Sequence, residues 1–386
     1  MNHKAIPPGG TLGVIGGGQL GRMFVHAAQR MGYRTIVLSP ERDCPAAQAS
    51  NESIIAAYND LEAIRRLSRE AEAAPVEFEN IPAAALRFLG RSIPVRPSWR
   101  TVWICQNRLR EKTFLADRGF PLPPWLPLRD EADLAQIIKH MPVPLVLKTA
   151  ASGYDGKGQI KVDRRGDIER SWRELGSVKC IAEGFVDFIA ELSVITARGV
   201  DGRSAVFPTA INRHARHILD TSVIPAPVGP IVTLESRRLA FEIAEALDLI
   251  GVLTVEMFLG QDGALLINEL APRPHNSGHA TIEACVTSQF EQQVRVTSGS
   301  PPGSTDPLDP AATVNLMGEL WADGEPDWRA LLDFDPGVKL HLYGKSAAAT
   351  GRKMGHLTVV DRDPETALRR AIAARKAIQP SSHRLS

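Results

Sequence analysis

The chain has no excess of one charge, with 45 Lys and Arg against 44 Asp and Glu. Such a balance gives no global basic field to draw it to nucleic acid or to an acidic membrane surface, so an anionic ligand must be held by local groups. Cysteine is scarce, and its four residues, Cys44, Cys105, Cys180 and Cys285, lack the paired spacing of a disulfide framework or a zinc site. They read as reduced, mostly buried thiols. No apolar run approaches the roughly 20 residues of a spanning helix, and the opening Met1-Asn2-His3-Lys4-Ala5-Ile6-Pro7-Pro8 has no signal-peptide apolar stretch. The expected setting is the cytoplasm, with neither nucleic acid nor membrane as a partner. Repeats and low-complexity tracts are absent as well, and 386 residues are too many for one core, which points to two or three domains.

Against that background two glutamates stand out. Glu256 lies in the run Val252–Leu259, Glu269 lies in Leu265–Leu270, and Gly260-Gln261-Asp262-Gly263 separates the two runs. Asp-Gly between branched apolar runs is a strong hairpin signal, because both residues tolerate positive φ. If Asp262-Gly263 is a two-residue loop, Glu256 and Glu269 fall directly opposite, roughly 5 Å apart, where like charges repel unless a cation or a shared proton lies between them. Hard oxygen ligands suit magnesium, which favours one or two carboxylates plus substrate phosphates. The competing reading has a longer loop that breaks this register, or one Glu turned to solvent.

Along the chain, a strand at 11–15 enters Gly16-Gly17-Gly18-Gln19-Leu20-Gly21-Arg22, followed by a helix to about Arg30 and a strand at 35–38. A helix over 60–73 and a strand at 76–78 continue the alternation, which implies an open parallel sheet. Gly16-x-Gly18-x-x-Gly21 has the shape of a dinucleotide fingerprint. The acidic residue expected after the second strand is missing, however, since Ser39-Pro40 stands there. A nicotinamide cofactor is therefore disfavoured, leaving a ribose phosphate seat or a structural tight turn.

Further on, helices are expected over 108–118, 234–247 and 281–298, with strands near 145–148, 159–162, 338–343 and 356–360. Ser152-Gly153-Tyr154-Asp155-Gly156-Lys157-Gly158 is an amide-rich loop suited to folding over phosphates, and Lys148 just before it is a point charge for one. Glu183-Gly184-Phe185-Val186 and Glu191 offer backbone groups for a base edge and a carboxylate for ribose hydroxyls. The loop Pro272-Arg273-Pro274-His275-Asn276-Ser277-Gly278-His279 presents Arg273 as an anion ligand. Zinc on His275 and His279 is disfavoured, because no third soft ligand is near. Lys345, Arg352 and Lys353 bracket a small-residue loop that reads either as an anion clamp or as a solvated charged hairpin.

Taken in order, these segments resemble the ATP-grasp superfamily and, within it, the 5-(carboxyamino)imidazole ribonucleotide synthetases. The strings that carry the resemblance are Gly17-Gly18-Gln19-Leu20-Gly21-Arg22-Met23, Glu77-Phe78-Glu79-Asn80, Gly153 to Gln159, Ile267 to His279, and Gly351-Arg352-Lys353-Met354-Gly355-His356. The resemblance implies a Rossmann-like parallel-sheet domain over 1–105, a small lid domain over 106–179 and a larger mixed-sheet domain over 180–386, an α/β and α+β architecture. It implies a carbon–nitrogen ligase that joins ATP, bicarbonate and aminoimidazole ribonucleotide, forms homodimers, and uses magnesium, with manganese as the alternative. By the same resemblance Arg108, Lys148, Gly153, Tyr154, Asp155, Gly156, Lys157, Gly158, Gln159, Glu183, Gly184, Phe185, Val186, Glu191, His214, Asn268 and Glu269 line the ATP site. Glu256 and Glu269 would hold the metal. Gln19, Leu20, Tyr154, Asp155, Lys345 and Arg352 would meet the ribonucleotide, with Asp155 orienting or deprotonating the amine and Arg273, Lys345 and Arg352 also counted in the catalytic set.

Three departures from the family pattern bear on the site. Ala150-Ala151-Ser152 replaces basic and glycine residues before the lid loop, Ala271 stands where many relatives have a metal-binding Asn, and His217 occupies a position usually given to glycine.

Overall fold

A computed structural model describes residues 5–151 and 158–379. Strands Thr11–Ile15, Arg34–Ser39 and Glu52–Ile55 form a parallel sheet. Parallel bridges Leu12↔Ala73 and Ile15↔Val76 extend it to Ala74–Pro75, which pairs in parallel with Val95–Arg96. The expected open parallel sheet is thus present. Its crossover helices bury one face each, Gln19–Arg30 through Leu20, Phe24 and Ala28, and Leu61–Glu70 through Ile64 and Leu67. The Asp60 carboxylate accepts from the amides of Glu62 and Ala63 at 2.9 and 3.1 Å, which sets where the second helix begins.

A four-stranded antiparallel sheet follows, in the order Trp125–Leu128, Cys180–Gly184, Leu145–Thr149, Gln159–Val162. Leu134, Ile137, Leu147 and Trp172 form its core with the helices Glu131–His140 and Ile168–Glu174. Because Cys180–Gly184 lies inside this sheet, the small unit runs past the boundary expected at residue 179. Helix Arg108–Ala116 lies between this sheet and the large one, touching both Cys180–Gly184 and Leu265–Ala271, and Leu115 and Phe114 join the core of the large sheet with Leu253 and Ile267.

The remaining chain builds a nine-stranded sheet whose edges are Leu265–Ala271 and Lys339–Leu342. Every pairing in it is antiparallel, where a mixed sheet was expected. The helix expected over 281–298 is two helices, Thr281–Ala284 and Gln289–Ser298. Cys285 turns extended and bridges Pro307, and the Ser288 hydroxyl caps the second helix by accepting from the Glu291 amide at 3.1 Å.

Candidate active site

The hairpin that carries Glu256 and Glu269 departs from the expected two-residue loop. Its loop is Gln261-Asp262-Gly263, closed by the Gly260 amide on the Ala264 carbonyl at 2.9 Å. The Asp262 carboxylate accepts from the Ala264 amide at 3.0 Å, and Gly263 takes φ +82°, which only glycine adopts freely. A loop of this length shifts the register by one residue, so Leu259 faces Leu265 and Met257 faces Ile267. A β-bulge at Asn268 then restores it, and Glu256 faces Glu269 after all. The longer loop alone would have separated the carboxylates. The bulge also turns Asn268 and Glu269 into the same cavity, because two residues now oppose one.

The two carboxyls titrate apart. Burial acts against charge on Glu256, but the His275 imidazole, with Nε2 3.0 Å from Oε1, holds it anionic, at about 2. Burial and then the Glu256 charge push Glu269 upward, and Arg108, 3.5 Å away, only partly offsets this. Opposed carboxyls of which one resists ionisation fit a hard divalent cation, whose charge removes the conflict. Among the described residues no group of three or more His, Cys, Asp or Glu is placed to hold a metal ion, so a cation here would complete its shell with substrate oxygens and water.

Beside the pair, Lys148 forms an ion pair with Glu183 Oε2 at 2.5 Å and donates to Asn268 Oδ1 at 3.2 Å. Burial alone would raise the Glu183 carboxyl, but Lys148 and Lys112 hold it at about 2. Glu191 Oε2 lies 2.6 Å from His214 Nδ1; burial lowers the imidazole pKa, and the carboxylate outweighs this and raises it. His214 keeps this place although Arg216 and His217, at φ +51° and +65°, form a left-handed two-residue turn without glycine. Phe188 stacks on Phe258 at 4.8 Å, giving the cavity an apolar wall near Phe185 and Val186.

The 272–279 loop is fastened inwardly. Arg273 Nε pairs with Glu79, so part of its charge is already met, and it projects into the cavity as well. His275 joins Glu256 and the Ser277 hydroxyl, whereas His279 is fully buried and stacks on His356 at 4.5 Å. The two histidines thus serve separate surroundings.

The glycine turn encloses a residue of the chain itself. Glu77 lies buried against it; burial pushes its carboxyl pKa upward, and Arg273 and the Gly18 and Gly21 amides only partly offset this. A Cβ on Gly16, at φ +123°, would stand 2.5 Å from Glu77 Cβ, and one on Gly18 2.3 Å from Glu77 Oε1. The space at this helix start is filled by a side chain of the chain itself, which favours the structural reading of the turn over the ribose-phosphate one. Gln19 and Leu20 nevertheless face the cavity.

Glu256, Glu269, Lys148, Glu183, Glu191, His214, Arg273 and His275 line one cavity of about 1130 Å³ shared by the three parts of the fold. It also takes in Arg108, Gln159, Lys345, Arg352 and Lys353. Lys345 Nζ donates to the Lys353 carbonyl at 2.7 Å and Arg352 Nη1 to the Ala347 carbonyl at 2.8 Å. Gly158 carries φ +71° and its carbonyl accepts from the Thr149 amide at 2.8 Å. Gly153, Tyr154, Asp155, Gly156 and Lys157 lie outside the described residues. Sequence reasoning assigned no role to Glu111 or Lys112, both almost fully buried. A charged pair on an otherwise ordinary helix carries no signal of burial.

Three family models match in succession: a ribonucleotide synthetase preATP-grasp domain over residues 10–106, an ATP-grasp domain over 113–290 and a phosphoribosylaminoimidazole carboxylase C-terminal domain over 311–370. The N5-carboxyaminoimidazole ribonucleotide synthase of Bacillus subtilis is 42% identical over 365 residues, 95% of each chain. The chain belongs to the N5-carboxyaminoimidazole ribonucleotide synthase family. Its Brucella melitensis relative is also 42% identical, covering 93% of this chain and 98% of that one. Among solved structures, an ADP complex of an N5-carboxyaminoimidazole ribonucleotide synthetase superposes with a TM-score of 0.91 at 39% identity, covering 98% of this chain and 100% of that one. The Aspergillus clavatus synthase in complex with ADP and 5-aminoimidazole ribonucleotide superposes with a TM-score of 0.87 at 29% identity, covering 96% and 99%. Among the described residues no helix is long and apolar enough to cross a membrane.

Proposed function

We propose that the chain carboxylates the exocyclic amine of 5-aminoimidazole ribonucleotide with bicarbonate at the expense of ATP, giving N5-carboxyaminoimidazole ribonucleotide, ADP and phosphate in purine biosynthesis. The observation that carries the reading is the facing pair Glu256 and Glu269 beside Lys148, inside a cavity walled by all three parts of a synthase-family fold.

Bicarbonate is a poor electrophile, so its carbon needs a leaving group. A bicarbonate oxygen takes the γ-phosphoryl group of ATP, ADP departs, and the resulting carboxyphosphate presents phosphate as that leaving group. The amine then attacks the activated carbon, or carbon dioxide released from it. Lys148, aimed by Glu183 and Asn268, would offset charge on the transferred phosphoryl group, and Arg108, beside Glu269, would add a second positive charge. Glu256 and Glu269 would hold magnesium or manganese, which when bound supplies further neutralisation of phosphate charge. Glu191, paired with His214, and the backbone of Glu183 to Val186 would receive the nucleoside. Lys345 and Arg352 would anchor the ribose 5-phosphate, with Gln19 and Leu20 on the imidazole side. Arg273 would meet bicarbonate, and the resemblance assigns Asp155 to the amine, with the 153–159 loop closing over the phosphates to exclude water.

The reading includes a cytoplasmic homodimer. Ile231 and Leu234, three residues apart on one helix and largely exposed, support self-association. A coupled ADP assay tests the chemistry by leaving out each substrate in turn. ADP release is expected only with both bicarbonate and aminoimidazole ribonucleotide present; release with formate and glycinamide ribonucleotide in their place would overturn the assignment.

A further inference from the structure

The strand Leu265–Ala271 is an edge of the nine-stranded sheet, so its outward amides and carbonyls have no neighbouring strand. Two consecutive residues of helix Arg108–Ala116 take that strand's place. Glu111 Oε2 accepts from the Leu270 amide at 3.0 Å, while Lys112 Nζ donates to the carbonyls of Ile267 and Asn268 at 3.2 and 2.9 Å. The Lys112 ammonium also forms an ion pair with Glu183 Oε1 at 2.5 Å. Lys148 then closes a circuit, since it bonds the other oxygen of Glu183 and the side chain of Asn268. The circuit returns to the residue it left: Asn268 carbonyl, Lys112, Glu183, Lys148, Asn268 amide oxygen.

Asn268 is the bulge that brings Glu269 opposite Glu256. A bulge leaves the ladder locally unpaired, so something outside the sheet has to hold it. Lys112 does so from the far side of the strand, with a side chain that is 1% exposed, donates to two backbone carbonyls and pairs with one carboxylate. The same ammonium shares Glu183 with Lys148, so it also limits how strongly that carboxylate draws Lys148 away from the cavity.

We propose that Lys112 is a positioning residue for the phosphate and metal half of the site: through the bulge it sets Asn268 and Glu269, and through Glu183 it sets Lys148, without touching a ligand itself. The inference rests on the ATP-dependent reading above and adds a residue to it. Lys345 and Arg352 lie on a separate loop, so the ribonucleotide half is independent of this circuit.

The test is Lys112→Met in the full chain, titrated calorimetrically with ADP in saturating magnesium and, separately, with aminoimidazole ribonucleotide. ADP affinity is expected to fall about 10- to 100-fold, as for other residues that orient ligating groups, with ribonucleotide affinity within about twofold of wild type. Unchanged ADP affinity overturns the proposal. So does an equal fall for both ligands, which reports general loss of structure. Should the Met variant fail to fold, Lys112→Arg decides by the same two titrations, and absence of a split there overturns the proposal too. Failure of the underlying reading has a different sign: wild type would release no ADP in response to bicarbonate and aminoimidazole ribonucleotide, whatever its affinity for ADP.

Discussion

The glycine turn at 16–21 and the hairpin at 251–271 both have the form of a ligand site, and the fold uses them in opposite ways. At the turn, the helix start that attracts an anion is filled from within by Glu77, and the glycines make room for that carboxylate. At the hairpin, two carboxyls face each other and Glu269 is left without a full counter-charge. A motif describes what a backbone can receive. Whether the place is already taken depends on a residue far along the chain.

The hairpin side of this contrast breaks most sharply with Glu269→Gln. ATP turnover is expected to fall on the order of 100-fold or more, since metal assistance is worth several kcal/mol and each ~1.4 kcal/mol is tenfold. Normal turnover at saturating magnesium would remove the hairpin from the site. On the other side, Gly16→Ala should destabilise the protein by about 2 kcal/mol in urea unfolding, because a Cβ there meets Glu77 at a left-handed φ. A stable Gly16→Ala protein with a raised KM for the ribonucleotide would instead make the turn a ligand seat.

Lys345 sharpens the comparison from between the two regions. The Gly344 carbonyl accepts from Gln48 of the parallel-sheet domain at 2.8 Å, so the lysine hangs at the seam. Lys345→Ala should raise KM for the ribonucleotide about tenfold with little change for ATP, in keeping with loss of a charge-assisted hydrogen bond. An equal rise for both substrates would move Lys345 to the ATP half.

Glu183 adds a pH dependence of stability. Glu183 is held at about 2 in the folded protein against an ordinary 4.5, so its contribution is complete above pH 4.5 and is lost as pH falls toward 2. Unfolding of Glu183→Gln followed across that window should show a shallower acid limb than wild type. An identical limb would mean that the two lysines do not grip this carboxylate.

Much of the parallel-sheet domain was legible because local rules govern it: Asp60 caps the helix it precedes, and apolar periodicity marks each crossover. The helix expected over 281–298 was misread for the opposite reason. Its break at Cys285 answers to Pro307, a partner no local pattern reports. The facing glutamates were found through a two-residue loop that does not exist, and the bulge at Asn268 compensated for the error. Glu111 and Lys112 stayed unread because their partners lie 159 and 156 residues away.

The linear order of residues was enough to establish the succession of strands and helices, the glycine-rich turns and two acidic positions on adjoining strands. These depend on backbone preference and apolar spacing, which act over a few residues. Three-dimensional packing decided which amides Glu77 caps, where the hairpin shifts its register, and how one buried ammonium holds the shifted strand. Those outcomes turn on polar groups removed from water, which must find partners wherever in the chain the fold brings them.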